Sequence, residues 1–332
     1  MTIEFFMRIL VTGGAGFIGS HLCKALLKKG HTVVCLDNFV TGRKENVESL
    51  LPDPHFQLVT HDVVEAFPDI GSCDMVFHLA AIASPWKYLE RKVTTLKTNA
   101  QGTLNALEFS RMQPRAAFIL ASTSEVYGDP EIHPQREDYW GRVNPVGPRA
   151  CYDEGKRVAE AYASAYETEY GMRIGIARIF NTFGPGMTQD DGRPIVNFTL
   201  KALTNKPIPI YGTGSQTRSF CYIDDLVRGL LLLAEKGIGQ GPINLGNPDE
   251  RSILSIAELI QKKVNPGISI VHTEAVTDDP QRRKPDITKA NKLLGWEPKV
   301  SFEDGLEQMI EWVSSEMKKS KSKNQNEGIS SR

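Results

Sequence analysis

The chain has 332 residues, 40% hydrophobic and 24% charged, with 39 Lys and Arg against 40 Asp and Glu. That length suits one large or two modest domains. A formal net charge of −1 gives no whole-chain attraction to phosphate backbones or anionic lipid, so nucleic acid and membrane are disfavoured as partners and any phosphate must be held locally.

Cys23, Cys35, Cys73, Cys151 and Cys221 are odd in number and never fall at metal-ligand spacing, which reads as reduced thiols and no metal site. The stretch 1–6 is too short for a signal peptide and the longest apolar run, 230–234, cannot cross a bilayer. A cytoplasmic home is expected.

In chain order, strand patterns at 8–12, 32–36, 56–59, 75–79, 117–121 and 174–179 alternate with helical periodicity at 20–29, 94–111 and 154–170. That alternation predicts an α/β fold with a doubly wound parallel sheet. The first strand runs into Thr12-Gly13-Gly14-Ala15-Gly16-Phe17-Ile18-Gly19-Ser20, a G-x-x-G-x-x-G turn opening a helix. Gly13 permits the tight turn, Gly16 lets backbone N–H groups approach a pyrophosphate, and Gly19 lets helix and strand pack closely. Asp37 closes the second strand, where a carboxylate binds a ribose diol and repels a 2′-phosphate, while Arg43 just beyond tolerates one. NAD is therefore expected over NADP, in a Rossmann-type domain. Asp62, after the third strand, is placed either to reach an adenine amino group or to cap a helix.

The fifth strand ends in Ser122-Thr123-Ser124-Glu125-Val126-Tyr127-Gly128, and Tyr152-Asp153-Glu154-Gly155-Lys156 follows on a helix. The i, i+4 spacing puts Tyr152 and Lys156 on one face, where the ammonium favours a phenolate able to take a hydroxyl proton as hydride leaves. A Thr123 hydroxyl bonded to the same oxygen completes the set. His78, Trp86, Trp140 and Trp296 read as packing residues, with Trp86 and Tyr88 in a loop that borders the ligand.

After residue 181, Gly and Pro break the rhythm. The expected organisation is a dinucleotide-binding domain over 1–181, rejoined by 224–247; a smaller α/β ligand lobe from 182–223 and 248–317; and a disordered Lys/Ser/Asn/Gln tail over 318–332.

The glycine turn, His78-Leu79-Ala80-Ala81, 122–128, Tyr152/Lys156 and 178–185 resemble the extended short-chain dehydrogenase/reductases that act on nucleotide sugars. Longer blocks at 129–135, 139–145, 149–156, 215–220 and 278–286 resemble the UDP-glucuronate decarboxylases, also called UDP-xylose synthases, from about residue 8 to residue 313. The resemblance implies NAD-dependent oxidation at C4 of UDP-glucuronate, loss of CO₂ from the resulting β-keto acid and return of the hydride, with no net redox change. It implies a homodimer paired through the helices at 94–111 and 154–170.

The candidate catalytic residues are then Tyr152, Lys156, Thr123, Glu125, Ser124 and Arg283. Ser124 stands where dehydratases carry an acid, and Glu125 is expected beside the sugar carboxylate, disfavouring its charge in the ground state. The candidate cofactor contacts are Gly13, Gly16, Phe17, Ile18, Gly19, Asp37, Asn38, Arg43, Asp62, Val63, Leu79, Ala80, Ala81, Thr98, Ser122, Tyr152 and Lys156. Arg218 and Arg283 are expected on the diphosphate, where planar guanidiniums bind bidentately. Lys97, Asn181, Arg193 and Tyr211 complete the candidate substrate contacts. The chain departs from the family at Trp86 and Gly186, near the expected sugar pocket. Two alternatives share these residues, a UDP-sugar 4-epimerase and a non-catalytic NAD-binding regulator.

Overall fold

Several strand sequences, such as Val-Val-Cys-Leu and Phe-Ile-Leu-Ala, are apolar at every position, which suits burial on both faces of a parallel sheet. The computed structural model, which describes residues 6–189, 192–275 and 280–330, has that arrangement. Strand β1 (Arg8–Thr12) passes through the glycine turn into α1 (Phe17–Lys28), then β2 (Thr32–Asp37), β3 (Phe56–Thr60) and β4 (Met75–His78). Helices α2 (Pro85–Glu90) and α3 (Lys92–Arg111) lead to β5 (Ala117–Thr123), α4 (Ala150–Tyr170) and β6 (Arg173–Ile179). Next come β7 (Thr182–Phe183), α5 (Pro194–Leu203), β8 (Ile208–Tyr211), β9 (Thr217–Ser219), β10 (Cys221–Tyr222), α6 (Ile223–Lys236) and β11 (Pro242–Leu245). The chain closes with β12 (Glu250–Ser252), α7 (Ile253–Val264), β13 (Ile270–Thr273), α8 (Thr288–Leu294) and α9 (Phe302–Ser330).

Seven strands form one parallel sheet in the order β11-β6-β5-β4-β1-β2-β3. Successive residues face opposite ways, so Leu10, Val34, Leu36, Phe118 and Leu120 pack with Ala106, Leu107, Ala159 and Ala163 of α3 and α4. Ile9, Val11, Val33, Phe77 and Ile119 pack on the other face with Leu22, Leu26, Leu230 and Leu233 of α1 and α6. The strand order reverses between β1 and β4, which opens a crevice at the strands' carboxyl ends. Three short pairs, β7 with β10, β8 with β13 and β9 with β12, build the lobe beyond that edge.

Asn244 of β11 ties the two parts together, its amide donating to the carbonyls of Gln135 and Asp286, both at 3.0 Å. That bond holds the segment carrying Arg283 against the sheet.

Three expectations need correction. The stretch expected to be a disordered tail continues α9 as far as Ser330. Leu306, Met309 and Val313 anchor the helix by burial, and once nucleated it propagates through Lys, Ser and Gln without a proline to stop it. Trp86 and Tyr88 lie in α2 rather than a loop, because Pro85 is pre-set for the first turn of a helix. Trp296 is fully buried and donates to the Asp225 carbonyl at 2.9 Å, whereas Trp140 is 88% exposed and packs no core.

Candidate active site

A cavity of about 630 Å³ occupies the crevice, running from the glycine turn to the short strands of the second lobe. Its floor is set by close backbone approaches. A Cβ on Gly13, which has φ +68°, would lie 2.8 Å from the Ala80 backbone, and one on Gly19 would lie 2.2 Å from the Gly13 carbonyl oxygen. Gly16 begins α1 without a side-chain cap, and Gly16 to Gly19 line the cavity, leaving the helix N-terminus for an anion. Asp37 accepts the N–H groups of Ala15 at 3.0 Å and Phe39 at 2.8 Å, and burial raises its carboxyl above the usual range. These features fit a dinucleotide: a cradle that any Cβ would fill, an uncapped helix end and an acid at the ribose position. Arg43 lines the same end but lies 3.5 Å from the Glu45 carboxylate, so its charge is partly matched.

The other expected cofactor contacts, Phe17, Ile18, Asn38, Val63, Leu79, Ala80, Ala81, Thr98, Ser122, Tyr152 and Lys156, also line the cavity. Asp62 does not. Its carboxylate accepts from Asn38 Nδ2 and the Val64 N–H, both at 3.0 Å, in a turn that no helix follows, and His61 lines the cavity. His78 is a packed histidine, bonded to Thr12 Oγ1 at 2.8 Å and Thr103 Oγ1 at 3.2 Å and held neutral by burial, which lowers it to about 3.

At the centre, β5 delivers Thr123 and α4 delivers Tyr152 and Lys156. The Tyr152 ring stacks on Tyr88, with centroids 5.2 Å apart and planes 7° from parallel, and its hydroxyl faces Thr123, which favours its anion. The expected phenolate is not a property of the protein alone. Burial, and secondly the Glu125 charge, push the Tyr152 phenol above its ordinary value despite Thr123. Lys156 gives its ammonium to the Ala121 carbonyl at 2.8 Å, and burial lowers it to about 8, opposed by Glu160. Ser122 donates to Glu160 at 2.6 Å, and Arg178 grips the same carboxylate through Nε at 3.0 Å and Nη2 at 2.8 Å.

A short 3₁₀ turn, Ser124–Tyr127, follows β5 and separates its side chains. Thr123 and Glu125 line the cavity, while Ser124 between them is buried and does not. Glu125 accepts from Arg149 on one oxygen and from Arg283 on the other. Burial alone would raise this carboxyl; the two guanidiniums, joined by Arg218, overcome it and hold Glu125 at about 2. Glu125 is therefore an anion paired with two guanidiniums, which offset the repulsion expected of it toward a ligand carboxylate.

Arg283 is 2% exposed and also donates to the Gly128 carbonyl at 3.1 Å, while Arg218 donates to the Thr217 carbonyl at 2.8 Å. Asn181, Arg193, Tyr211, Arg218 and Arg283 all line the second half of the cavity. Lys97 does not: Thr94 and Thr98 of α3 face the cavity and Lys97 turns to solvent. The sequence reading missed Arg149, whose only signal was its place three residues before Tyr152 in a recognised block. Asp278 and Asp279 of the last such block lie outside the described residues.

This sheet order, with a glycine turn, an acid at the end of β2 and a Thr/Tyr/Lys set at the switch point, defines a dinucleotide-dependent enzyme of the Rossmann class. Residues 9–246 match the model described as the NAD dependent epimerase/dehydratase family. The chain is 53% identical over 310 residues to UDP-glucuronic acid decarboxylase 1 of Xenopus tropicalis, spanning 93% of this chain and 73% of that protein. It is 51% identical over 306 residues to UDP-glucuronic acid decarboxylase 5 of Arabidopsis thaliana, spanning 92% and 89%. Among solved structures, UDP-glucuronic acid 4-epimerase from Bacillus cereus in complex with UDP-glucuronic acid and NAD matches at TM-score 0.84 and 33% identity, over 93% of this chain and 99% of that one. The chain belongs to the NAD dependent epimerase/dehydratase family, and its dinucleotide is NAD.

Proposed function

We propose that this protein converts UDP-glucuronate to UDP-xylose and CO₂ through a 4-keto intermediate. The observation that carries the reading is the group facing the Tyr152 set: buried Arg283 and half-buried Arg149 on an ionised Glu125, with no protonated acid in Ser124's place. A 4,6-dehydratase needs an acid to protonate a departing hydroxyl. Arginines suit a sugar that brings its own carboxylate.

NAD, held by the glycine turn and Asp37, supplies hydride acceptance at C4 and its return. Tyr152 takes the C4 hydroxyl proton, and Thr123 fixes that oxygen by a second hydrogen bond. Lys156, bonded to the Ala121 carbonyl, keeps a positive charge one helical turn from the phenol. Oxidation makes the sugar a β-keto acid, whose carboxylate leaves as neutral CO₂ while the electrons pass into the ketone. Arg149 and Arg283 hold that carboxylate beside Glu125, and a proton then enters at C5. Arg218 holds the diphosphate.

The assay is incubation with UDP-glucuronate: CO₂ with UDP-xylose supports the reading, and UDP-galacturonate without CO₂ overturns it in favour of a 4-epimerase. A homodimer and a cytoplasmic home belong to the same proposal. What supports the dimer is the exposure of the apolar side chains Val93 and Leu96 on α3 and Val158 on α4, two helices that pack together. Light scattering measures the mass, and a monomer at micromolar concentration would sink the dimer alone.

A further inference from the structure

Behind the main cavity lies a smaller one of about 120 Å³, lined by Gly128, Asp129, Arg142, Val143, Asn144, Gly147, Arg149, Asp153 and Pro280. Arg149 belongs to both walls. Its Nη2 reaches Glu125 in the main cavity, and its Nε lies 3.7 Å from Asp153 Oδ2 on the far side. Asp153 is 7% exposed, and its other oxygen, Oδ1, is buried with no hydrogen-bond partner. A buried acid with half its acceptor capacity unmet is poorly stabilised as an anion.

We propose that Asp153 sets the charge of the carboxylate subsite built by Arg149 and Arg283. When Asp153 is ionised, Arg149 is shared between two carboxylates; when it is protonated, the Arg149 charge is directed to Glu125 and the ligand. This inference rests on the reading of the substrate as a hexuronate. Protonation of Asp153 makes the net charge around Arg149, Arg283 and Glu125 more positive by one.

The groups facing Asp153 are Arg149, Cys151, Tyr152 and Glu154 from its own helix end, Tyr88 from α2, Glu125 from the turn after β5, and Arg283 from the segment before α8. Asp129 and Arg142 share its cavity. Burial, and secondly Glu125, push its carboxyl up to about 7 against the pull of Arg149 and Arg283, which puts the change in the neutral range. The sign follows: a carboxylate ligand binds more tightly at pH 6 than at pH 8, and by linkage its binding draws a proton onto Asp153. A UDP-sugar without a carboxylate carries the same diphosphate and lacks the effect.

The test is calorimetric titration of the NAD-loaded Tyr152→Phe enzyme, chosen to suppress turnover, with UDP-glucuronate and with UDP-glucose between pH 6 and 8. The expected result is a loss of UDP-glucuronate affinity of about fivefold or more across that range, with UDP-glucose unchanged. Asp153→Asn, read in the same background, should bind UDP-glucuronate at the pH 6 strength throughout. Equal pH dependence for the two nucleotides, or an unaltered dependence in Asp153→Asn, overturns the proposal. The comparison of the two nucleotides on the parent enzyme stands even where the Asp153 variant fails to fold. Absence of CO₂ release by the unmodified enzyme is a separate result, and it sinks the decarboxylase reading instead.

Discussion

Tyr152 is buried against Tyr88 with its hydroxyl facing Thr123, so its phenyl ring is held by packing that the oxygen does not provide. Tyr152→Phe should therefore keep NAD binding and lower the rate of CO₂ release about 10²- to 10⁴-fold, the usual weight of a positioned acid–base group. Dinucleotide titration beside the turnover assay checks both halves. Lys156 carries a stability signature as well. Burial depresses it to about 8, so between pH 8 and its ordinary value of 10.5 the unfolded chain binds a proton that the folded chain does not. Stability contributed by this residue thus rises with pH through that window, by up to about 3 kcal/mol, and is constant below it. Denaturant unfolding at pH 8 and pH 10 should show a smaller rise for Lys156→Met; identical slopes would contradict the assignment.

The turn between β1 and α1 depends on the closeness of two backbone segments. Gly19→Ala puts a carbon 2.2 Å from the Gly13 carbonyl oxygen, backbone that cannot swing aside, so the turn must open. Loss of dinucleotide affinity in a folded protein is the expected outcome, with circular dichroism as the control. Strand β5 is the other critical element, since it sits mid-sheet and carries Thr123 at its end. Phe118→Ala on that strand deletes a fully buried ring between the sheet and α3, and should cost about 3–5 kcal/mol in thermal or denaturant unfolding. α3 and α4 also pack closely: a Cβ on Gly155 would lie 2.9 Å from the Asn99 side chain, and this packing holds the start of α4, and with it Tyr152, on the sheet beside β5.

Over the whole molecule, 39 basic and 40 acidic side chains cancel, so the field at a distance offers an anionic substrate little guidance. Affinity has to come from cations fixed at the cavity. Arg218→Glu should weaken UDP binding by an order of magnitude or more, because a nearly buried cation at the cavity wall becomes an anion. Reversing Lys318 and Lys319, which lie on α9 away from the cavity lining, should change UDP affinity by less than twofold. Comparable losses from the two sets of changes would mean that the general field holds the nucleotide.

Much of this was readable along the chain because it is local. The alternation of apolar runs with amphipathic stretches carries the sheet class, the glycine spacing carries the dinucleotide turn, and i, i+4 spacing places Tyr152 with Lys156. The end of the last helix was not readable, since polar residues continue a helix only when buried neighbours have started it. Nor was the outward turn of Lys97, the engagement of Asp62 in its own turn, or the burial of Ser124 beside a cavity-facing Glu125; each depends on how an element rotates against its neighbours. The charge at the reacting centre was decided furthest from the local pattern. Glu125 meets Arg149, 24 residues away, and Arg283, 158 residues away, so its ionisation follows from two chain segments closing on one cavity. Spacing names the residues able to do this chemistry, whereas only their packing in a dry interior fixes which of them carry charge.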